Sequence, residues 1–198
     1  MNHPKAPVAH LLYLHGFRSS PRSAKAQRMA AWVRDHRADL QWCCPQLPPA
    51  PREAIAVIES ACADWRADAM AVIGSSLGGF YATILAERTG CRAVLLNPAV
   101  DPARDLAGFI GEQASWHDPQ DHFVFRAEDV EALRALTPGA ITRPQRYLAI
   151  IAKGDEVLDW REMAARYAGA RIKLLQGGDH ALSDFDHHLP DIVRFLAL

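Results

Sequence analysis

The chain has 198 residues, of which 49% are hydrophobic, and its formal net charge at pH 7 is −1. This length fits one domain with a full-sized core, because single domains commonly run to about 100–200 residues. A near-neutral charge without a long basic run argues against a nucleic-acid or anionic-membrane partner. No apolar stretch approaches the roughly 18 residues that a spanning helix needs, so no membrane association is expected.

Neither the first residues of the chain nor its cysteines show the pattern of a secreted protein, which favours a reducing compartment. The first 16 residues carry only a short apolar run that leads into a turn, which is not typical of a secretory signal peptide. The cysteines are Cys43, Cys44, Cys62 and Cys91. They lack a CxxC pair or regular spacing, which favours buried free thiols over a disulfide or a metal site. We therefore expect a soluble, cytoplasmic protein.

Apolar runs of strand length alternate with segments of helical periodicity along the chain. Strands are predicted at 8–16, 40–47, 69–74, 91–99, 146–154 and 170–178. Helices are predicted at 20–37, 51–65, 77–90, about 159–168, and from about 186 to the end. Ser20 as N-cap and Pro21 at the first helical position mark the start of the first helix. Strands that are apolar on both faces and alternate with helices indicate a parallel sheet covered on each side.

The whole chain, residues 1–198, is therefore predicted to form a single α/β domain. Only the segment 101–143 departs from the alternation. It carries several aromatic residues among many charges, followed by a short helical pattern, AEDVEALRAL. It is longer than a simple connection should be, so we expect a lid or pocket wall there.

The stretch AVIGSSLGGF, residues 71–80, places a Gly-x-Ser-x-Gly pattern centred on Ser76 between a predicted strand and a predicted helix. A nucleophile elbow belongs at such a turn, where small neighbours allow the sharp bend that exposes the hydroxyl. The alternatives are a packing turn and a phosphate cradle. A Walker-type loop would need Gly-Lys-Ser/Thr, and a dinucleotide fingerprint would need Gly-x-Gly-x-x-Gly after the first strand; neither is present. Ser76 is favoured as nucleophile over the adjacent Ser75.

A serine hydroxyl needs a base to take its proton and a carboxylate to orient that base. In a parallel sheet these partners should follow later strands, at the same edge as the elbow. Asp155 follows the fifth predicted strand and His180 the sixth, which gives the chain order Ser, Asp, His. Glu156 and Asp159 compete for the acid role.

The oxyanion hole of such a site needs two N–H groups, one of them from the residue after the nucleophile. Leu77 supplies that one, and Phe17, in the loop after the first strand, is the candidate for the second. The same loop residues, His15, Gly16 and Phe17, are expected to line the substrate site. A plain strand-ending turn is almost as good an interpretation of His15 itself.

Several motifs along the chain match a known family. LLYLHGF, SSPRSAKA, PQLP, GSSLGG, NPA, GDEVLD and GGDHA occur in this order. Together they resemble the small YqiA-type bacterial esterases of the α/β-hydrolase superfamily, from about residue 11 to the end. The resemblance implies a minimal six-stranded, mainly parallel sheet with helices on both faces. It also implies hydrolysis of carboxylic esters, with short acyl chains, and places Ser76, Asp155 and His180 at the triad positions.

The predicted function is therefore a serine esterase acting on a small-molecule ester, without a metal or an organic cofactor. The same machinery could serve an acyl thioesterase or an acyltransferase, since only the acceptor and the pocket differ. A hydrolase-fold protein used for binding, with catalysis lost, is the alternative from another class. The sequence does not decide the natural substrate or the oligomeric state.

Overall fold

The computed structural model describes residues 7–118 and 120–198 and contains a six-stranded sheet that accounts for all six predicted strands. The strands are β1 (His10–Leu14), β2 (Gln41–Cys43), β3 (Met70–Ser75), β4 (Arg92–Leu96), β7 (Tyr147–Ala152) and β8 (Arg171–Leu175). Their order in the sheet is β2-β1-β3-β4-β7-β8, and every neighbouring pair is parallel. The parallel sheet predicted from the doubly apolar strands is confirmed.

Helices connect the strands. They are α1 (Ala24–His36), α2 (Pro51–Ala61), α3 (Leu77–Thr89), α4 (Pro102–Asp105), α5 (Ala127–Leu136), α6 (Trp160–Arg166) and α7 (Leu189–Leu196). The predicted start of the first helix was wrong: α1 begins at Ala24 with Ser23 as its N-cap. The Ser20 hydroxyl instead accepts a hydrogen bond from the Arg22 N–H in the turn before the helix.

The two faces of the sheet carry separate hydrophobic cores. Along β1, Leu12 and Leu14 point to one face, while Leu11 and Tyr13 point to the other. Helices α2, α3, α5 and α6 cover the first face, and α1 and α7 cover the second. Because successive side chains of a strand point to opposite faces, a strand buried on both sides has to be apolar throughout.

The register of the sheet brings several loops to one edge. Gly74 of β3 pairs with Leu14 of β1 on one side and with Leu95 of β4 on the other. The chain therefore leaves β1, β3, β4, β7 and β8 at the same carboxyl edge. Ligands bind outside the carboxyl ends of strands in open α/β sheets, so this edge is where a site is expected.

The segment 101–143 contains α4, a 3₁₀ turn at 107–109, α5 and a hairpin of two antiparallel strands, β5 (Gly111–Ala114) and β6 (His122–Phe125). The sequence predicts only α5. The loop after β1 holds the hairpin: the Arg18 Nε donates to the Ala114 carbonyl at 2.7 Å, and the Trp116 N–H donates to the Arg18 carbonyl at 2.8 Å. The Arg18 guanidinium also lies 4.1 Å from the centroid of the Trp116 ring.

None of the helices in the described ranges has the length and apolar character of a transmembrane segment.

We expect Leu133→Ala to lower the free energy of unfolding by about 2–5 kcal/mol, because Leu133 in α5 is fully buried in the core. Val124→Ala is the matched control, since Val124 on the hairpin is 50% exposed, and it should cost less than about 1 kcal/mol. Urea denaturation measures both. Equal, small effects would mean that α5 does not fold as part of the core.

Candidate active site

Ser76 stands at the turn between β3 and α3 with a left-handed backbone, φ 55° and ψ −122°. Its N–H donates to the Leu96 carbonyl at 3.0 Å, and its carbonyl accepts from the N–H groups of Gly79 and Ala99 at 2.8 and 3.0 Å. A non-glycine residue occupies this region only when its surroundings hold it there. The three hydrogen bonds supply that constraint and leave the Ser76 side chain free to point away from the sheet.

The glycines on either side of Ser76 are required by close packing. A Cβ atom on Gly74 would lie 2.2 Å from the Gly78 carbonyl oxygen, and one on Gly78 would lie 2.0 Å from the Leu14 carbonyl oxygen. Both obstacles are backbone atoms, which cannot move aside as a flexible side chain would. A Cβ on Gly16 would lie 3.1 Å from the Ser76 Cβ, so the loop after β1 runs directly against the serine.

Ser76, His180 and Asp155 form a hydrogen-bonded chain. The His180 Nδ1 lies 2.8 Å from the Asp155 Oδ2, and the His180 Nε2 lies 3.0 Å from the Ser76 Oγ. Because an ionised carboxylate only accepts, the proton of a neutral His180 is on Nδ1, and Nε2 is left to accept from the serine hydroxyl. The Asp155 side chain is fully buried and the His180 side chain is 20% exposed. This arrangement can remove a proton from Ser76.

Asp155 and its rivals occupy different positions. The Asp155 Oδ1 accepts from the N–H groups of Val157 and Leu158, both at 2.8 Å, which fixes the carboxylate while Oδ2 faces His180. Asp159 instead caps α6, where it accepts from the Arg161 N–H at 2.8 Å. The Glu156 carboxylate accepts from the His180 N–H at 2.9 Å. Neither rival forms a hydrogen bond with the imidazole ring, whose partners are Asp155 and Ser76.

Asn97, which the sequence reasoning did not single out, holds the loop that carries His180. It is fully buried at the end of β4, with φ 42°. Its Nδ2 donates to the carbonyls of Asp179 and His180 at 2.9 and 3.2 Å, and its Oδ1 accepts from the Ala152 N–H at 2.8 Å. One side chain thus joins the ends of β4 and β7 to the loop after β8. An asparagine directly after a buried strand was the available signal.

The two N–H groups predicted for the oxyanion hole lie close to the serine. Leu77 is the first residue of α3, so its N–H has no acceptor within the helix. Phe17 follows Gly16, the residue that packs on Ser76. Within the described ranges neither N–H donates a hydrogen bond to the protein. The structure places both residues beside Ser76; their role in binding an oxyanion stays a prediction.

His15 is engaged with the backbone on both sides of its ring. Its Nδ1 donates to the Gly16 carbonyl at 3.0 Å, and its Nε2 accepts from the Leu47 N–H at 3.0 Å. Burial of the ring lowers the pKa of His15, which favours this neutral form. His15 therefore fixes the loop after β1 against the segment that contains Leu47.

A cavity of about 210 Å³, which we call the apolar cavity, opens beside Leu77 and the loop after β1. Its lining includes Phe17, Leu47, Pro48, Leu77, Tyr81 and Phe123. The Phe17 ring packs edge-on against Phe109, Phe123 and Phe125, with centroids 5.7, 5.7 and 5.1 Å away. Residues of the segment 101–143 thus form part of the cavity wall.

The four cysteines are free thiols, with Cys62 and Cys91 buried and Cys43 and Cys44 partly buried. Across residues 7–118 and 120–198, no group of three or more His, Cys, Asp or Glu side chains is arranged to hold a metal ion.

Solved structures with the same architecture are α/β hydrolases. The mouse alpha/beta hydrolase domain-containing protein 10 aligns over 94% of this chain and 90% of its own, with a TM-score of 0.71 and 14% identity. Est1E from Butyrivibrio proteoclasticus, solved with ferulic acid bound, aligns over 97% and 87%, with a TM-score of 0.66 and 14% identity. The Pyrococcus furiosus esterase Pf2001 aligns over 98% and 82%, with a TM-score of 0.64 and 13% identity. At these identities the likeness establishes the fold, and the predicted α/β-hydrolase fold is confirmed.

The sequence also matches a family model over residues 10–197, that of the Uncharacterised protein family (UPF0227). The chain belongs to this family, the YqiA-like family that its motifs resemble.

We expect Gly78→Ala to destabilise the protein by at least about 3 kcal/mol, because the added methyl group would meet the Leu14 carbonyl. Gly108→Ala is the matched control: no atom lies within 4 Å of a Cβ added there, so stability should change by less than about 1 kcal/mol. Thermal unfolding measures both, and a tolerated Gly78→Ala would contradict the packing described for the turn.

Asn97→Ala should cost about 2–4 kcal/mol, because it leaves the Ala152 N–H and two loop carbonyls without their partners. Hydrogen exchange at the Ala152 amide should also accelerate. Gln46→Ala is the control, since it removes an amide that donates to two carbonyls at 3.3 Å in a partly exposed loop; it should cost less than about 1 kcal/mol. An unchanged exchange rate of the Ala152 amide in Asn97→Ala would contradict the hydrogen bond between Asn97 and β7.

Proposed function

We propose that this protein is a serine esterase that hydrolyses small carboxylic esters. The observation that carries the proposal is the chain Ser76–His180–Asp155, with contacts of 3.0 and 2.8 Å, on a strained strand-to-helix turn. A structural serine needs neither a left-handed backbone nor a buried carboxylate behind its histidine. Strain stored at one residue and held by its neighbours is typical of functional sites.

In the first half of the proposed reaction, His180 Nε2 removes the proton from Ser76 as the Oγ attacks the ester carbonyl. The carbonyl oxygen becomes an oxyanion, which the N–H groups of Leu77 and Phe17 stabilise. His180 then gives the proton to the leaving alcohol, and an acyl-enzyme remains on Ser76. Asp155 keeps the proton on Nδ1 and stabilises the imidazolium while it exists.

In the second half, water replaces the alcohol. His180 takes a proton from water, the hydroxide attacks the acyl carbonyl, and the same two N–H groups hold the second oxyanion. The Ser76–acyl bond breaks, Ser76 recovers its proton from His180, and the carboxylic acid leaves. Each proton that leaves a nucleophile passes to His180 and returns to a leaving oxygen, so no other acid or base is needed.

We assign the acyl group to the apolar cavity. At about 210 Å³ the cavity suits a short acyl chain, and it is lined by Leu77, the proposed oxyanion donor next to Ser76. The packing of Phe17 against three phenylalanines of the segment 101–143 supports a role for that segment as a pocket wall.

Hydrolysis of 4-nitrophenyl butanoate tests the proposal. We expect Ser76→Ala and His180→Ala each to lower kcat at least about 10³-fold, and Asp155→Asn to lower it by about 10²–10⁴-fold through the wrong tautomer. Ser75→Ala removes the neighbouring hydroxyl and should retain kcat within about tenfold.

Matched substrates separate the esterase from its close alternatives. Rates on ethyl butanoate and ethyl thiobutanoate, with and without an added alcohol acceptor, should favour hydrolysis of the oxygen ester. A strong preference for the thioester would replace the esterase assignment by a thioesterase, and formation of a new ester would indicate an acyltransferase. A folded wild-type protein that hydrolyses none of these esters would favour the binding alternative.

A further inference from the structure

A second cavity, of about 270 Å³, lies between Ser76 and the start of α1, and we call it the α1 cavity. Its lining includes Ser76, His180 and Ala181 together with Tyr13, Ser23 and Lys25. It shares the loop at 15–17 with the apolar cavity but not Leu77 or Tyr81. Ser76 therefore lines the cavity that contains Lys25, whereas the apolar cavity, whose lining includes Arg18 and Asp121, lies on the Leu77 side.

The start of α1, where Ser23 and Lys25 line this cavity, carries unsatisfied hydrogen-bond donors. Among the described residues, the N–H groups of Ala24, Lys25 and Ala26 in the first turn have no acceptor, and the Ser23 side chain does not cap them. The first turn also lacks an acidic residue. Free N–H groups and the helix dipole make the start of a 13-residue helix favourable for a negative charge.

Lys25 adds a positive charge at the same place. Its Nζ donates to the Ala181 carbonyl, and no carboxylate of the described residues lies within 4 Å of it. Asp155 and Asp179, which influence it from farther away, are already bound by His180 and by Ser183. Burial lowers the pKa of Lys25 to about 8, so the side chain is still mostly charged at pH 7.

Two hydroxyls of the lining, those of Tyr13 and Ser23, are buried without a hydrogen bond of ordinary geometry to residues 7–118 and 120–198. Tyr13 is fully buried beside Ser75, and its Oη forms no hydrogen bond of ordinary geometry within the described part of the chain. The Ser23 Oγ is likewise buried without a partner. Buried polar groups are usually satisfied, so unsatisfied hydroxyls beside a cavity point to a ligand that completes them.

The position of His180 decides which part of a substrate would enter this cavity. His180 returns its proton to the leaving oxygen, so the leaving group has to lie on the His180 side of Ser76. His180 and Ala181 line the α1 cavity and not the apolar cavity. The acyl and leaving groups are thus separated between the two cavities.

We infer that the α1 cavity binds an anionic group, a carboxylate or a phosphate, carried by the leaving-group part of the ester. The Ser23 hydroxyl and the N–H and ammonium groups of Lys25, all on residues that line the cavity, bind its oxygens. This inference rests on the proposed esterase function and names its substrate class: esters whose alcohol part carries a carboxylate or a phosphate.

The test compares O-butanoylglycolate with isobutyl butanoate at pH 7, because the two share the acyl group and differ by a carboxylate in place of an isopropyl group. We expect kcat/KM to be roughly tenfold higher for the anionic ester. 2-(Butanoyloxy)ethyl phosphate forms a second arm, and a larger preference for it would identify phosphate as the favoured oxyanion. A second pair, monoisobutyl glutarate and isobutyl 5-methylhexanoate, differs in the same way but carries the charge on the acyl group. For this pair we expect equal kcat/KM values.

Lys25 also donates to the Ala181 carbonyl next to His180, so its replacement can lower kcat/KM for every ester. The variants are therefore compared by the ratio of kcat/KM for the anionic ester to kcat/KM for the neutral ester. Lys25→Gln keeps a donor but removes the charge, and should bring the ratio to about one. Ser23→Ala should lower the ratio by roughly threefold. Arg34→Gln makes the same charge change at an exposed position of α1 and should leave the ratio unaltered.

Each outcome bears on a distinct claim. A ratio near one in the wild-type protein, or a ratio that Lys25→Gln and Arg34→Gln change equally, would overturn the inference while leaving the esterase intact. A higher kcat/KM only for monoisobutyl glutarate, whose charge is on the acyl group, would also overturn the inference. A wild-type protein inactive on every ester, neutral or anionic, would instead refute the proposed function itself.

Discussion

The left-handed backbone at Ser76 is the constraint on which the rest of the site depends. With φ at 55°, the chain reverses between β3 and α3 so tightly that Gly74 and Gly78 touch, and Gly78 lies against the Leu14 carbonyl of the neighbouring strand. A parallel sheet with β1 directly beside β3 is what puts that carbonyl there. Gly16 also packs against Ser76, so the loop with Phe17, the proposed second oxyanion donor, lies directly against the turn. A bend of this kind is maintained only because surrounding hydrogen bonds and packing offset its strain.

Side-chain hydrogen bonds, rather than backbone packing, hold the loop that carries His180. His180 lies in a loop after the edge strand β8, where few main-chain pairs constrain it. Hydrogen bonds from the buried Asn97, with those from the Glu156 carboxylate and the Lys25 ammonium, fix four backbone groups between Asp179 and Ala181. Such a network is rigid because leaving any buried member unpaired costs free energy. Lys25 thereby connects His180 to the start of α1, where the anionic group of the substrate is proposed to bind.

The order of the elements and the approach of three polar side chains at one sheet edge were readable from the sequence, whereas the fine structure of the loops was not. Runs of residues that are apolar on both faces are a local signal, so the six strands could be predicted. Ser76, Asp155 and His180 each follow a predicted strand, so their meeting at one edge of the sheet could be predicted as well. The start of α1 was wrong by several residues because Ser20 and Pro21 form a turn before the helix. The β5–β6 hairpin escaped detection because its strands are only four residues long and are held by Arg18, which lies 96 residues before Ala114 in the chain. Asn97 was missed for the same reason, since its three partners lie 55 to 83 residues away.

The central claim is that His180 and Asp155 make Ser76 a nucleophile. The most direct measurement is the intact mass of the protein after treatment with a fluorophosphonate, followed by peptide mapping, for the wild type, Ser76→Ala, Ser75→Ala and His180→Ala. The account predicts a single adduct on Ser76 that is absent in Ser76→Ala, retained in Ser75→Ala and formed much more slowly in His180→Ala. A well-folded wild-type protein that forms no adduct, or one labelled at Ser75, would contradict it.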